Sequence, residues 1–197
     1  MDAGLSMTVE FEEAVHFVLA NEGGYTELAN DTGGATNFGI SLRLLRSLHP
    51  DTLRRCGVFV DPATLTPADM HELSLEQAQA VYKLVFWEAA PFGDIDNAFI
   101  CKYVFDCAVL HGVAQAIRFL QRACWAVASI PDYVTDDGIL GAQTVHLVNI
   151  FGNDVKHQFV LLAALMAERA GYCRLIAATC PEKKEFLDGW LNRCYRL

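Results

Sequence analysis

Two carboxylates and a hydroxyl fall close together in one short, glycine-rich stretch of this chain. Glu22 stands in Asn21-Glu22-Gly23-Gly24-Tyr25. Asp31 follows nine positions later, ahead of Gly33-Gly34-Ala35-Thr36-Asn37-Phe38-Gly39-Ile40. A pair of carboxyl groups flanking a bond is what glycoside hydrolysis requires. One protonates the leaving oxygen, and the other activates water or stabilises an oxocarbenium-like transition state. Thr36 has the hydroxyl to position that water. Each residue also has a plainer reading: Glu22 as an exposed helix end, Asp31 as an Asx-turn and Thr36 as a partner of loop backbone. Tyr25 and Phe38 could stack on sugar rings or pack on the core. Spacing alone leaves these alternatives open.

The elements that must hold these groups are mostly helical. Phe11, Val15, Val18 and Leu19 recur every three or four residues and predict a first helix, capped by Thr8, with Glu10 and Glu12 in its first turn. Gly23-Gly24 stops it, which places Glu22 in the last turn. There the negative end of the helix dipole, and any burial, would raise a carboxyl pKa, as a general acid needs. Residues 25–40 read as turns or a small β-hairpin. A short helix over 41–48 is stopped by Pro50, and 51–73 read as loop with short turns. Ser74-Leu75-Glu76-Gln77 is a capping box that opens a helix to about Trp87, broken by Pro91 and Gly93. An apolar helix spans about 99–110 and either bends at Gly112 or gives way there to a second helix reaching Trp125. Further helices are predicted over 142–150, 155–179 and from about Phe186 through Trp190. The fold class is therefore all-α (α+β lysozyme-like): a helical bundle with a small turn or β-hairpin insertion after the first helix.

Composition narrows the function. The 197 residues are 53% hydrophobic and carry a formal net charge of −9. That is enough apolar mass for a core. The charge disfavours nucleic acid, and it offers no long-range attraction to an anionic polymer. A groove with hydrogen bonds and stacking would have to hold such a substrate. No apolar run reaches the ~18 residues a membrane span needs. The start, Met1-Asp2-Ala3-Gly4-Leu5-Ser6, lacks a secretory signal pattern. The seven cysteines form no Cys-x-x-Cys and show no zinc-type spacing with histidine. They read as mostly buried, reduced thiols of a cytosolic product.

The run from Ala20 to Ser41 resembles the signature of glycoside hydrolase family 108, lysozyme-like N-acetylmuramidases of phage endolysins and bacterial wall enzymes. The Glu, eight residues, Asp spacing is also similar to that of the T-even phage lysozymes, whose threonine lies close to the position of Thr36. The likeness continues through Ser74 to Trp87, Val104 to Val109, Leu120-Gln121-Arg122-Ala123, Asp137 to Thr144 and Phe186 to Arg193. The second half resembles the family's predicted peptidoglycan-binding region. One departure stands out. Leu110 and His111 occupy positions where the family usually has Asn and a small residue, ahead of Gly112.

The resemblance implies a muramidase cleaving the β-1,4 bond between N-acetylmuramic acid and N-acetylglucosamine. Glu22 is the implied acid, with Asp31 and Thr36 carried over by position. Tyr25, Asn37, Phe38, Asp106, His111 and Gln121 are the candidate substrate contacts. The expected organisation is a catalytic region over 1–97 and a helical peptidoglycan-binding-like region over 98–197, packed as one unit. No metal or organic cofactor is expected. The expected partner is the glycan strand of peptidoglycan, met by a monomer, with no nucleic acid and no stable membrane insertion. Synthesis in the bacterial cytoplasm without a signal peptide would call for a holin or a secretion system before action at the periplasm or cell wall. Both an endolysin and a secretion-associated muramidase fit this picture. The alternatives are a non-catalytic peptidoglycan-binding module on the same fold, or an interaction protein that uses the groove for a partner chain.

Overall fold

The computed structural model describes residues 9–21, 24–26, 34–130 and 132–196. The chain divides into two units, Met1–Ala89 and Ala90–Leu197. Among the described residues the only sheet is a two-stranded hairpin, and the rest is mostly helix. This is the expected helical, lysozyme-like class.

In the first unit, α1 (Val9–Asn21) buries Phe11, Ala14, Val15 and Val18, the stripe its spacing predicts. Its expected cap, Thr8, lies outside the described residues. The hairpin follows as β1 (Thr36–Asn37) and β2 (Ile40–Ser41), antiparallel, with Thr36 opposite Ser41 and Asn37 opposite Ile40. Ser41 then caps α2 (Leu42–Ser47) through its hydroxyl, which accepts from the Leu44 amide at 3.1 Å.

Residues 51–73, read above as loop, hold more helix than expected. They carry α3 (Pro50–Arg55), a 3-10 turn (Pro62–Thr64) and α4 (Pro67–His71). Each begins on a proline. The first helical position has no amide bond to lose, so proline starts a helix there rather than breaking one. His49, Asp61 and Thr66 cap the three.

The capping box forms as predicted. The Gln77 amide donates to the Ser74 hydroxyl at 3.2 Å, and the Ser74 amide donates to the Gln77 side-chain carbonyl at 2.9 Å. It opens α5 (Leu75–Val81), but the α-helix is shorter than expected. It widens into a π-helical turn over Tyr82–Phe86 and tightens into a 3-10 turn over Trp87–Ala89. A π-turn inside a helix is uncommon and recurs at functional sites.

The second unit contains α6 (Ala98–His111), α7 (Val113–Ala128), α8 (Ala142–Asn153), α9 (His157–Thr179) and α10 (Leu187–Cys194). Gly112, at φ 84°, is a boundary between two helices rather than a kink in one. The long α9 packs against α7, α8 and α10, and α6 against α7. The unit begins earlier than residue 98. Phe92 is buried edge-on against Phe105, with ring centroids 5.6 Å apart, and its carbonyl accepts from the Cys101 thiol at 3.3 Å. Those contacts tie the 3-10 turn Phe92–Asp94 to α6.

Candidate active site

The hairpin is fixed from three sides. Phe38 and Gly39 form its two-residue loop at φ 50° and φ 75°. Two successive residues in the left-handed region match the right-handed twist of the flanking strands. Glycine takes that conformation without cost, but a bulky side chain seldom does. The Phe38 carbonyl is held by the buried Tyr82, whose hydroxyl donates to it at 2.7 Å. The π-turn thus grips the loop tip.

On the second side, the Asn37 amide group donates to the carbonyls of Met70 at 2.9 Å and His71 at 3.5 Å, satisfying the end of α4. On the third, Thr26 pairs with Thr36. Their backbones exchange hydrogen bonds at 2.9 and 2.8 Å, and their hydroxyls lie 2.7 Å apart. Tyr25, half-buried, meets the exposed His71 ring edge-on at 5.0 Å. The result is a rigid platform that presents the Thr36 hydroxyl and the Phe38 ring, both partly exposed.

The two candidate carboxylates, Glu22 and Asp31, lie outside the described residues. α1 runs to Asn21 and is anchored by Phe11, which meets Trp87 edge-on at 5.5 Å and has the Lys83 ammonium 5.9 Å from its ring centre. The turn Tyr82–Ala89 therefore braces both α1 and the hairpin.

Three expected substrate contacts turn out to be internal. Asn37 is 6% exposed, and its amide nitrogen is spent on α4. Asp106 is fully buried. Its carboxylate accepts from Arg169 at 2.8 Å and Arg193 at 2.6 Å, joining α6, α9 and α10. A carboxylate inside an apolar helix costs several kcal/mol unless paired, and this one is paired twice.

Gln121, 1% exposed, binds the loop before α8. Its amide nitrogen donates to the Asp137 carboxylate at 2.8 Å and the Ile139 carbonyl at 3.1 Å, and its carbonyl accepts from the Gly138 amide at 3.0 Å. The Asp137 carboxyl is held below its ordinary value by that Gln121 bond and by the Ile139 amide. Gly138 must be glycine twice over. Its φ is 76°, and a Cβ would meet the Ala114 carbonyl oxygen at 2.7 Å. These three residues position structure instead of facing solvent.

His111 closes α6 with its ring edge-on to Phe119 and Tyr172, at 5.7 and 5.5 Å. Its Nε2 is buried without a hydrogen-bond partner. Burial, assisted by Arg169, lowers its pKa from 6.5 to about 4. Half-buried among aromatic rings, His111 is a candidate substrate contact whose described neighbours are Phe119 and Tyr172.

The sequence reading missed Thr26, Tyr82, Arg169 and Arg193. Thr26 and Tyr82 stand inside the quoted signatures, so their presence was visible but not their partners. Arg169 pairs across 63 positions of chain, which no local pattern reports.

Two family models cover most of the chain. Residues 15–112 match the model described as glycosyl hydrolase 108, and residues 115–195 match the predicted peptidoglycan domain. The chain belongs to glycosyl hydrolase family 108. Membership makes it a glycoside hydrolase relative acting on peptidoglycan, and that is the coarse function. Among solved structures, SagA of Brucella abortus is similar over 93% of this chain and 92% of its own, at 23% identity and a TM-score of 0.62. At that identity the likeness speaks for the fold. No curated protein matches the chain. Among the described residues, no helix is long and apolar enough to cross a membrane.

Proposed function

We propose that the protein is an N-acetylmuramidase that hydrolyses the β-1,4 bond between N-acetylmuramic acid and N-acetylglucosamine. The supporting observation is the hairpin braced by Tyr82, Asn37 and Thr26, in the part of the chain that matches the glycosidase family. Glu22, one residue beyond α1, protonates the leaving oxygen. Asp31 and Thr36 orient water or stabilise the developing oxocarbenium charge. Tyr25 and Phe38 offer ring faces to the sugars. Asp106, Gln121 and Asn37 act by holding structure. A carboxyl separation of ~6.5–9.5 Å would make the enzyme inverting, and ~5–5.5 Å retaining.

The site of action is the cell wall, reached from the cytoplasm through a holin or a secretion system. The enzyme works as a monomer. Purified peptidoglycan digested by the protein and reduced with borohydride should yield muropeptides with reduced muramic-acid ends. Reduced glucosamine ends would assign cleavage to the other glycosidic bond. Wall binding with no sugar release from several peptidoglycan types would make the chain a binding module.

A further inference from the structure

Two of the seven thiols stand apart from the rest. Cys173 on α9 and Cys194, the last residue of α10, bring their Sγ atoms to 3.8 Å, each 1% exposed or less. They sit in one apolar pocket with Ala170, covered by Leu187, Trp190 and Leu191. A disulfide has its sulfurs at about 2.0 Å, so small side-chain rotations of both residues would close the gap. The other cysteines have different surroundings. Cys101 donates to the Phe92 carbonyl, and Cys180 lies beside the Thr179 hydroxyl. Cys56, Cys107 and Cys124 are buried, and burial pushes their pKa values up to about 11, 12 and 12. In the close pair, the contact itself favours the thiolate at Cys173 and the thiol at Cys194. That asymmetry suits one sulfur to attack first.

We propose that Cys173 and Cys194 form a disulfide when the chain meets an oxidising disulfide, clamping α10 onto α9. The co-reactant is an external disulfide, either a small molecule or a thiol oxidoreductase. The Cys173 thiolate attacks one of its sulfurs, forming a mixed disulfide and releasing one thiolate. Cys194 then gives up its proton and attacks the Cys173 sulfur, releasing the second. Two protein thiols are oxidised, one external disulfide is reduced to two thiols, and the two protons end on those thiols.

Both sulfurs are buried, so the exchange runs while this short helix is lifted and is shielded once it docks. The clamp also fixes two neighbours. Arg193, next to Cys194, holds the Asp106 carboxylate, and the Cys194 carbonyl accepts from the Tyr103 hydroxyl. The biological use, stabilisation after leaving a reducing cytoplasm, rests on the wall-acting reading above. The bond itself does not.

The test uses the full chain, reduced and then incubated with oxidised glutathione. Free thiols are alkylated under denaturing conditions and the peptides are mapped by mass spectrometry. The expected result is a Cys173–Cys194 cross-link, formed faster in mild denaturant, with a thermal midpoint raised by roughly 5–10 °C. Cys194→Ser and Cys173→Ala should each match the reduced wild type and gain nothing from oxidant. Mapping the wild type needs neither variant to fold. If both cysteines stay open to alkylation, if the link joins either to Cys107, or if the bond forms without raising the midpoint, the clamp is wrong. Glycan cleavage is assayed separately on both forms. A cross-linked protein that never cleaves sinks the muramidase reading and leaves the disulfide standing.

Discussion

Phe38 takes a backbone conformation that its bulk disfavours, at the tip of the one described hairpin. Strain of this kind costs about 1–3 kcal/mol and tends to persist where a side chain is wanted in one place. Asparagine enters the left-handed region more readily than phenylalanine. Phe38→Asn should therefore keep the folding stability within about 1 kcal/mol of wild type. Binding to glycan oligomers should weaken roughly 3- to 10-fold for want of the ring. Equal binding by calorimetry would place the ring outside the site.

His111 gives a second prediction. Its folded pKa of about 4 lies below its unfolded value near 6.5, so the folded state binds fewer protons. The stability it contributes is whole above pH 6.5 and is lost as pH falls toward 4, on the order of 3 kcal/mol in total. Burial sets most of this window; Arg169 and Arg193 push the same way, and Asp106 opposes them. Denaturant midpoints measured across pH 4–7 should show a slope that His111→Phe flattens. Identical slopes would mean the ring charges freely.

Among the elements, the turn Tyr82–Ala89 braces both α1 and the hairpin. Tyr82→Phe removes one hydrogen bond and leaves the Phe38 carbonyl unpaired, a loss of about 1 kcal/mol. The midpoint should drop by only a few degrees. Cleavage, measured where the variant is fully folded, should fall about tenfold as the loop tip drifts. A lowered midpoint with full activity would show that the tip is positioned by other contacts.

This scale also shows what the sequence could and could not reveal. The stripe on α1 and the Ser74 capping box were legible because each is a local pattern with a local cause, whereas Gly112 read equally as a kink or a boundary. The helices opened by Pro50, Pro62 and Pro67 were not. The same residue ends a helix when it falls inside and starts one when it falls first, and only the caps His49, Asp61 and Thr66 decide which. The π-turn was hidden for a related reason: apolar spacing barely differs between α- and π-winding over five residues. At the candidate site, residue types could be named, but burial could not. Asn37, Asp106 and Gln121 looked like substrate contacts until their partners were seen.

For the molecule as a whole, the formal charge of −9 makes a prediction that a basic wall-binding protein would not share. Its field and that of anionic peptidoglycan repel at long range, and salt screens this as the Debye length falls from ~30 Å at 0.01 M to ~8 Å at 0.15 M. Cleavage of purified wall should hold steady or rise over that range. A tenfold fall would reveal a cationic patch carrying the binding.

In the proposed mechanism Glu22 is the acid that breaks the glycan. Wild type and Glu22→Gln should be run side by side on purified peptidoglycan, with thermal midpoints measured on the same preparations. The expected result is equal midpoints, with release of muramic-acid-ended products by the variant reduced about 10²- to 10⁴-fold. A folded variant that cleaves as fast as wild type would show that Glu22 is not the acid.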